Sequence, residues 1–342
     1  MKKLSFLIIA ILTIVSCKNE TKVNDNKTSD SISDSISKYP SDVIPFMDKW
    51  KILLGDGTYV DDLVGFQKDD FFYVETENDV DWVVYKTPNS GVTSRTSSNT
   101  RTELGEKRHW IPEEGGKLTG TLKVKHVSTT GDATAASSYS VVVGQIHSDE
   151  GHENEPLKIY YKKFPSHTKG SVFWNYEINT AGDNIGRFDY STPVWGHDFS
   201  VVGTDATTYP EEPANGIALN EEFSYEVNVY KGIMYLTFTS EGHETVTFTK
   251  SLIKSDFATK EDIPEQIKRV YANREKGGGV ERDTAYAGEI NYFKQGAYNQ
   301  ANYKSTKSEV YGGDIAKQYQ NGSYAEVWFK EATVGEAIAP KN

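Results

Sequence analysis

Three short stretches carry the side chains best suited to chemistry. "YFKQGAYNQ" (292–300) places two tyrosines, a lysine and a glutamine at alternate positions. "RTEL" sets Arg101 two residues before Glu103, and "QIH" sets Gln145 two residues before His147. Successive side chains of a β-strand point to opposite faces, so residues two apart share a face. Tyr292, Lys294, Tyr298 and Gln300 then line one side with Gly296 as a gap, while Phe293, Gln295, Ala297 and Asn299 line the other. Arg101 and Glu103 share a face, as do Gln145 and His147. Singly these are weak signals, because an Arg–Glu pair two apart is commonly a surface ion pair worth little. Placed side by side on one concave sheet, they would gather an arginine, a carboxylate, an amide, an imidazole, a lysine and two phenols. Such a set suits recognition of a carboxylate next to groups that can move a proton.

A trough of this kind needs neighbouring strands, and the chain reads as strand-rich from Ser41 onward. Alternating runs recur between turn residues: "GKLTGTLKVKHV", "SSYSVVVGQIH", "PLKIYYKKF", "GSVFWNYEI", "EFSYEVNVY", "IMYLTFTS", "ETVTFTK" and "SYAEVWFKEA". This spacing predicts an all-β fold, a jelly-roll sandwich of two antiparallel sheets with a concave groove and few short helices. One helix is expected in the second half of 255–275, entered at Pro264 and ended by the glycines of "KGGGVERD". Residues 181–216 and 251–288 read as long loops. No second linker or repeat interrupts 41–342, so one catalytic-sized domain is expected there.

The remaining features concern the chain's setting. "MKK", then "LSFLIIAILTIV", then "VSC" has the layout of an export signal over residues 1–17, and its apolar stretch is too short for a comfortable membrane span. Cys17 is the one cysteine of the chain, which excludes an intrachain disulfide and a cysteine metal cluster. "IVSC" resembles a bacterial lipobox, implying a lipid anchor at Cys17 and attachment to the cell envelope, the outer membrane first; the alternative is a plain secretory signal and a secreted protein. Residues 18–40, polar and rich in Ser, Asp and Asn, read as a flexible tether. The formal net charge of −12 argues against nucleic acid as a partner. It admits a polyanion only where cations are gathered locally. The other histidines, His109, His126, His152, His167, His197 and His243, are scattered and read as surface residues. No metal or cofactor is expected, and the chain is expected to be a monomer.

"RTEL", "QIH" and "YFKQGAYNQ", in that order, resemble the three signature blocks of the alginate lyases of polysaccharide lyase family 7. The resemblance extends over most of 45–335 and includes "EPLKIYYKK" and "AEVWF". It implies β-elimination on an acidic polysaccharide, alginate: a base removes the C5 proton of a uronate, the 4-O-glycosidic bond breaks, and an unsaturated uronate remains. Arg101, Gln145, His147 and Tyr298 are the implied catalytic residues. Arg101 and Gln145 would neutralise the carboxylate, His147 would act as base and Tyr298 as acid, or Tyr298 as both on the opposite epimer. Glu103, Lys294, Tyr292 and Gln300 are the implied substrate-binding residues. Lys158 and Lys162 would either extend the basic groove or be ordinary edge-strand lysines. Ile146 at the centre of "QIH" suggests guluronate-containing blocks, and the long loops would favour release of small units from chain ends. Gly105 departs from the family's usual arginine after "EL", and Gln295 from its common alanine after "YFK". The first implies a lost substrate contact, the second a polar residue on the core side. Two other readings are a surface polysaccharide-binding jelly roll without catalysis and a lyase for another polyuronate such as glucuronan.

Overall fold

Residues alternate apolar and polar where a strand has one face on the core. Thus Leu118, Leu122 and Val124 are buried in one strand and Phe223, Tyr225, Val227 and Val229 in another. The structure, a computed structural model, describes residues 39–93, 97, 99–131, 137–149, 154–179, 187–197, 209–256, 282–301 and 314–340. Its first strands are β1 (Trp50–Leu53), β2 (Tyr59–Val60), β3 (Phe72–Glu77), β4 (Val80–Pro88), β5 (Arg101–Glu106), β6 (Gly116–His126), β7 (Ser140–Ser148) and β8 (Leu157–Lys162). Then follow β9 (Lys169–Asn179), β10 (Arg187–Trp195), β11 (Ile217–Ala218), β12 (Glu222–Tyr230), β13 (Ile233–Ser240), β14 (Val246–Ser251), β15 (Asn291–Asn299) and β16 (Tyr324–Gly335). Short helices are α1 (Pro40–Val43) and α2 (Ile315–Gln320), the latter capped by the Asp314 carboxylate accepting from the Lys317 amide.

Two antiparallel sheets form the jelly-roll sandwich. The first runs β10-β9-β8-β7-β15-β5-β1-β2 with β11 beside β9, and the second runs β14-β13-β12-β6-β16-β4-β3. Between them lies one continuous core, to which Trp50, Ile52, Leu104, Val143, Ile146 and Phe293 come from the first sheet, and Tyr85, Leu122, Tyr225 and Phe329 from the second. The three chemistry-bearing stretches fall on β5, β7 and β15, adjacent strands at the centre of the first sheet. Their sequence separations are large, so this adjacency is a property of the fold alone.

Part of the expected 181–216 loop is strand. β10 pairs with β9 along its length, from Arg187 opposite Asn179 to Trp195 opposite Val172. Turn residues on both sides and Pro193 hide it in the sequence. An edge strand tolerates proline, and a bulge between Pro193 and Trp195 absorbs the missing donor. Likewise Lys158 and Lys162 do not lie on an edge, since β8 sits between β7 and β9. The expected signal and lipobox cysteine, the tether up to residue 38 and the expected helix within 257–281 lie outside the described residues.

Candidate active site

Bulges decide which side chains reach the outer face of the first sheet. Along β15 and β7, Tyr292 pairs with His147 and Lys294 with Gln145, but Gln295 pairs with Gly144 and Tyr298 with Val142. Gly296 and Ala297 therefore lie opposite Val143 alone. A second irregularity between β7 and β8 carries Val142 opposite Tyr160 and Gly144 opposite Ile159. Val143 and Ile146 turn into the core, and Val142, Gln145 and His147 turn outward. Without the extra residue, strict alternation from Val142 would bury Gln145. Gly296 has φ +144°, and a Cβ there would meet the Thr102 carbonyl oxygen at 2.6 Å, so only glycine lets β15 press against β5 at this point.

On the outer face the charged groups converge on Glu103, which is 3% exposed. Arg101 Nη1 lies 3.2 Å and Lys294 Nζ 3.4 Å from Glu103 Oε2, and the Gln145 amide donates to Glu103 Oε1. Burial alone would push the Glu103 carboxyl up, but Lys294, Arg101 and the Gln145 hydrogen bond outweigh it and hold the group below its usual range. Lys294 is pushed down to about 8, by burial first and then by the Arg101 charge, with Glu103 pulling the other way. Two cations around one carboxylate leave this cluster one positive charge in excess.

Tyr298 and His147 flank the cluster. Arg101 Cζ sits 3.8 Å from the Tyr298 ring centroid, and Ser97 Oγ joins the two residues, accepting from Arg101 Nη2 at 3.0 Å and lying 3.2 Å from the Tyr298 hydroxyl. Val142, Tyr160, Phe173 and Tyr298 form a separate apolar floor, in which Tyr160 and Phe173 stack at 4.9 Å. At the other flank His147 Nδ1 is 2.6 Å from the Ser148 carbonyl oxygen. A carbonyl only accepts, so the ring proton is on Nδ1 and the lone pair on Nε2. Burial, then the charges of Lys294 and Arg101, push the imidazole down to about 3. It is neutral at any ordinary pH.

The predicted residues thus divide by environment. Arg101, Glu103, Gln145 and Lys294 are directly linked, Tyr298 joins them through Arg101, and His147 lies alongside with its ring 5.3 Å from Tyr292. Gln300 stands apart: its amide is engaged by Asn99 and by the Tyr298 carbonyl, both at 3.4 Å, so it braces the end of β15. Lys158 is buried and shared between Glu155 at 3.0 Å and Glu177 at 2.6 Å, so this group carries one net negative charge beside the cluster. Gln295 packs on the core side, its amide nitrogen donating to Tyr225 Oη at 2.7 Å and the Thr119 carbonyl at 3.0 Å while its oxygen is buried without a hydrogen-bond partner. His109, expected as a surface residue, stacks on Tyr292 at 5.0 Å and pairs with Asp149 at 3.0 Å. Sequence reasoning missed Ser97, Phe173 and Glu155; the alternation of β9 could have flagged Phe173, but nothing local marks the other two. Among the described residues, no group of His, Cys, Asp and Glu could hold a metal ion.

Comparison with known proteins gives the family and agrees with the fold. The exolytic alginate lyase AlyA5 of Zobellia galactanivorans is 70% identical, with a TM-score of 0.84 over 89% of this chain and 100% of that one. An alginate lyase of Klebsiella pneumoniae is 29% identical over 270 residues, 69% of this chain and 73% of the relative. The crystal structure of an alginate lyase from the same organism shares the fold, with a TM-score of 0.62 at 23% identity over 88% of this chain and 99% of that one. The sequence pattern of the family described as alginate lyase matches residues 44–336, nearly the whole of the sandwich and all three strands of the trough. That match covers most of the chain, which therefore belongs to the alginate lyases of polysaccharide lyase family 7.

Proposed function

We propose that this lyase acts on guluronate-containing blocks of alginate and releases small units from chain ends, with Arg101, Gln145, His147 and Tyr298 as its catalytic residues. The observation that carries the residue assignment is the charge excess at Glu103. Arg101 and Lys294 together exceed the one carboxylate between them, so a single uronate carboxylate would complete the balance. Neutralising that carboxylate is the main electrostatic task, because loss of the C5 proton puts further negative charge beside an anion. Arg101 and the second Gln145 N–H supply donors. His147 Nε2, 3.8 Å from Glu155 Oε1, carries the lone pair, and it takes the C5 proton. Electrons from the C–H bond form the C4–C5 double bond, the C4–O bond breaks, and the Tyr298 hydroxyl protonates the leaving oxygen. Burial, and then the charges of Lys294 and Arg101, make His147 a weak base; a bound carboxylate offsets the two charges and raises its basicity.

End action is supported by the 70% identity to a lyase described as exolytic. Guluronate preference rests on Ile146, whose own side chain is in the core and acts only by setting the line of β7. The lipobox-like "IVSC" supports export and a lipid anchor at Cys17. Ultraviolet absorbance of the unsaturated product on polyguluronate, polymannuronate, mixed alginate and glucuronan tests the substrate. Product sizes at early times test the mode: small units alone support end action, and a ladder of intermediate oligomers rejects it.

A further inference from the structure

Lys51 lies outside every stretch that the sequence singles out. It stands on β1 between Trp50 and Ile52, both of which enter the core, so its own side chain is on the outer face with the trough. Pairing places it opposite Gly105 of β5, Gly105 opposite Lys294 of β15, and Lys294 opposite Gln145 of β7. A line straight across the strands therefore reads Lys51, Gly105, Lys294, Gln145. Gly105 adds nothing to that line, and Lys51 fills its place. A Cβ on Gly105 would lie 3.5 Å from Lys51 Cε, 3.7 Å from Lys51 Cγ and 3.8 Å from Tyr292 Cε2. The lysine stem passes over the glycine toward Tyr292, bringing its ammonium 6.0 Å from the ring centroid, while Lys294 approaches the same ring at 5.9 Å.

What holds each charge differs along the row. Lys294 is tied to Glu103, and Lys158 beyond Gln145 is tied to two glutamates. Among the described residues no carboxylate lies within ion-pair distance of Lys51, whose stem is half-buried. An ammonium with a packed stem and no internal counter-ion, set on the wall of a trough for a polyanion, is available to the substrate. Lys51 and Lys294 are two strands apart, about 10 Å by ordinary strand spacing. A polyuronate lying across the strands passes both.

We propose that Lys51 is a substrate-binding residue: with Tyr292 it holds the carboxylate of a uronate unit neighbouring the one held by Arg101 and Lys294. Gly105 leaves the bay in which it acts, so the cation that β5 lacks reaches the trough from β1. The inference rests on the trough being the alginate site.

The test removes the charge and then returns it from the neighbouring strand. Lys51→Met keeps the stem; it is expected to lower kcat/KM on alginate oligomers roughly five- to tenfold, mainly through KM, with kcat and the unfolding midpoint nearly unchanged. The salt dependence of KM should flatten with it. Lys51→Arg should behave as the wild type, and Gly105→Arg in the Lys51→Met background should recover most of the lost affinity, since position 105 has only ordinary contacts to its Cβ. If the wild type cleaves alginate but Lys51→Met matches it, the Lys51 assignment falls and the lyase reading stands. A loss shared by Lys51→Arg, or one that Gly105→Arg does not relieve, assigns Lys51 to packing and overturns the proposal equally. A wild type inactive on every polyuronate overturns both.

Discussion

Replacing Glu103 by glutamine should move the pH dependence of this enzyme, not merely lower its rate. Glu103 is the anion that keeps Lys294 protonated against burial and the Arg101 charge. At 3.4 Å and an effective dielectric constant of 20, the Lys294–Glu103 attraction is about 5 kcal/mol. Allowing roughly half of that for relaxation leaves about 2 pH units. Removing an anion disfavours the cation, so the ammonium gives up its proton at lower pH, near 6 where the wild type stands at about 8. At pH 7.5 the charged fraction of Lys294 falls from about three quarters to a few per cent, roughly a 20- to 30-fold loss of charged site. Because kcat/KM reports the free enzyme, its basic limb should shift down by about 2 pH units in Glu103→Gln, with most of the activity recovered near pH 5.5. Initial rates at low substrate from pH 5 to 9 provide the assay. A loss uniform across that range, with the basic limb still near 8, would refute the idea that Glu103 sets the charge of Lys294.

Other outcomes follow from the same geometry. Tyr298→Phe should abolish turnover, at least about 100-fold in kcat, while oligomer binding by calorimetry stays close to the wild type; an active variant rejects Tyr298 as the acid. The ring protons of His147 should show no titration between pH 5 and 8 in the free enzyme, because its imidazole is held down at about 3; an NMR inflection near 6.5 contradicts the burial and the charges that face it. Gln295→Ala should lower stability by about 1–3 kcal/mol, because Tyr225 Oη and the Thr119 carbonyl each lose a buried donor. Denaturant unfolding measures that change, and kcat/KM should hold.

Much of the trough was legible in the chain because the information is local. The two-residue period of β15 already separates Lys294 and Tyr298 from Phe293 and Ala297, and the structure keeps that division. The runs read as β6 to β9 and β12 to β14 are likewise strands, since each alternates against one core. β10 was hidden because the signals of a strand edge, Pro193 and the flanking turn residues, are the same as those of a loop. His109 and Lys51 could not be assigned from sequence at all. Each gains its place by contact with Tyr292, about 180 to 240 residues away along the chain.

By itself the sequence determined the all-β class, the residue types able to hold a carboxylate and move a proton, and which of them share a face within a strand. Those follow from side-chain chemistry and a period of two, which act over a few residues. The tertiary structure alone decided that β5, β15 and β7 are neighbours, that a bulge turns Gln145 and His147 outward, and that Glu103 lies between Arg101 and Lys294. Strand order and register arise from pairing between distant segments, and charge perturbation arises from burial among them. No local pattern encodes either.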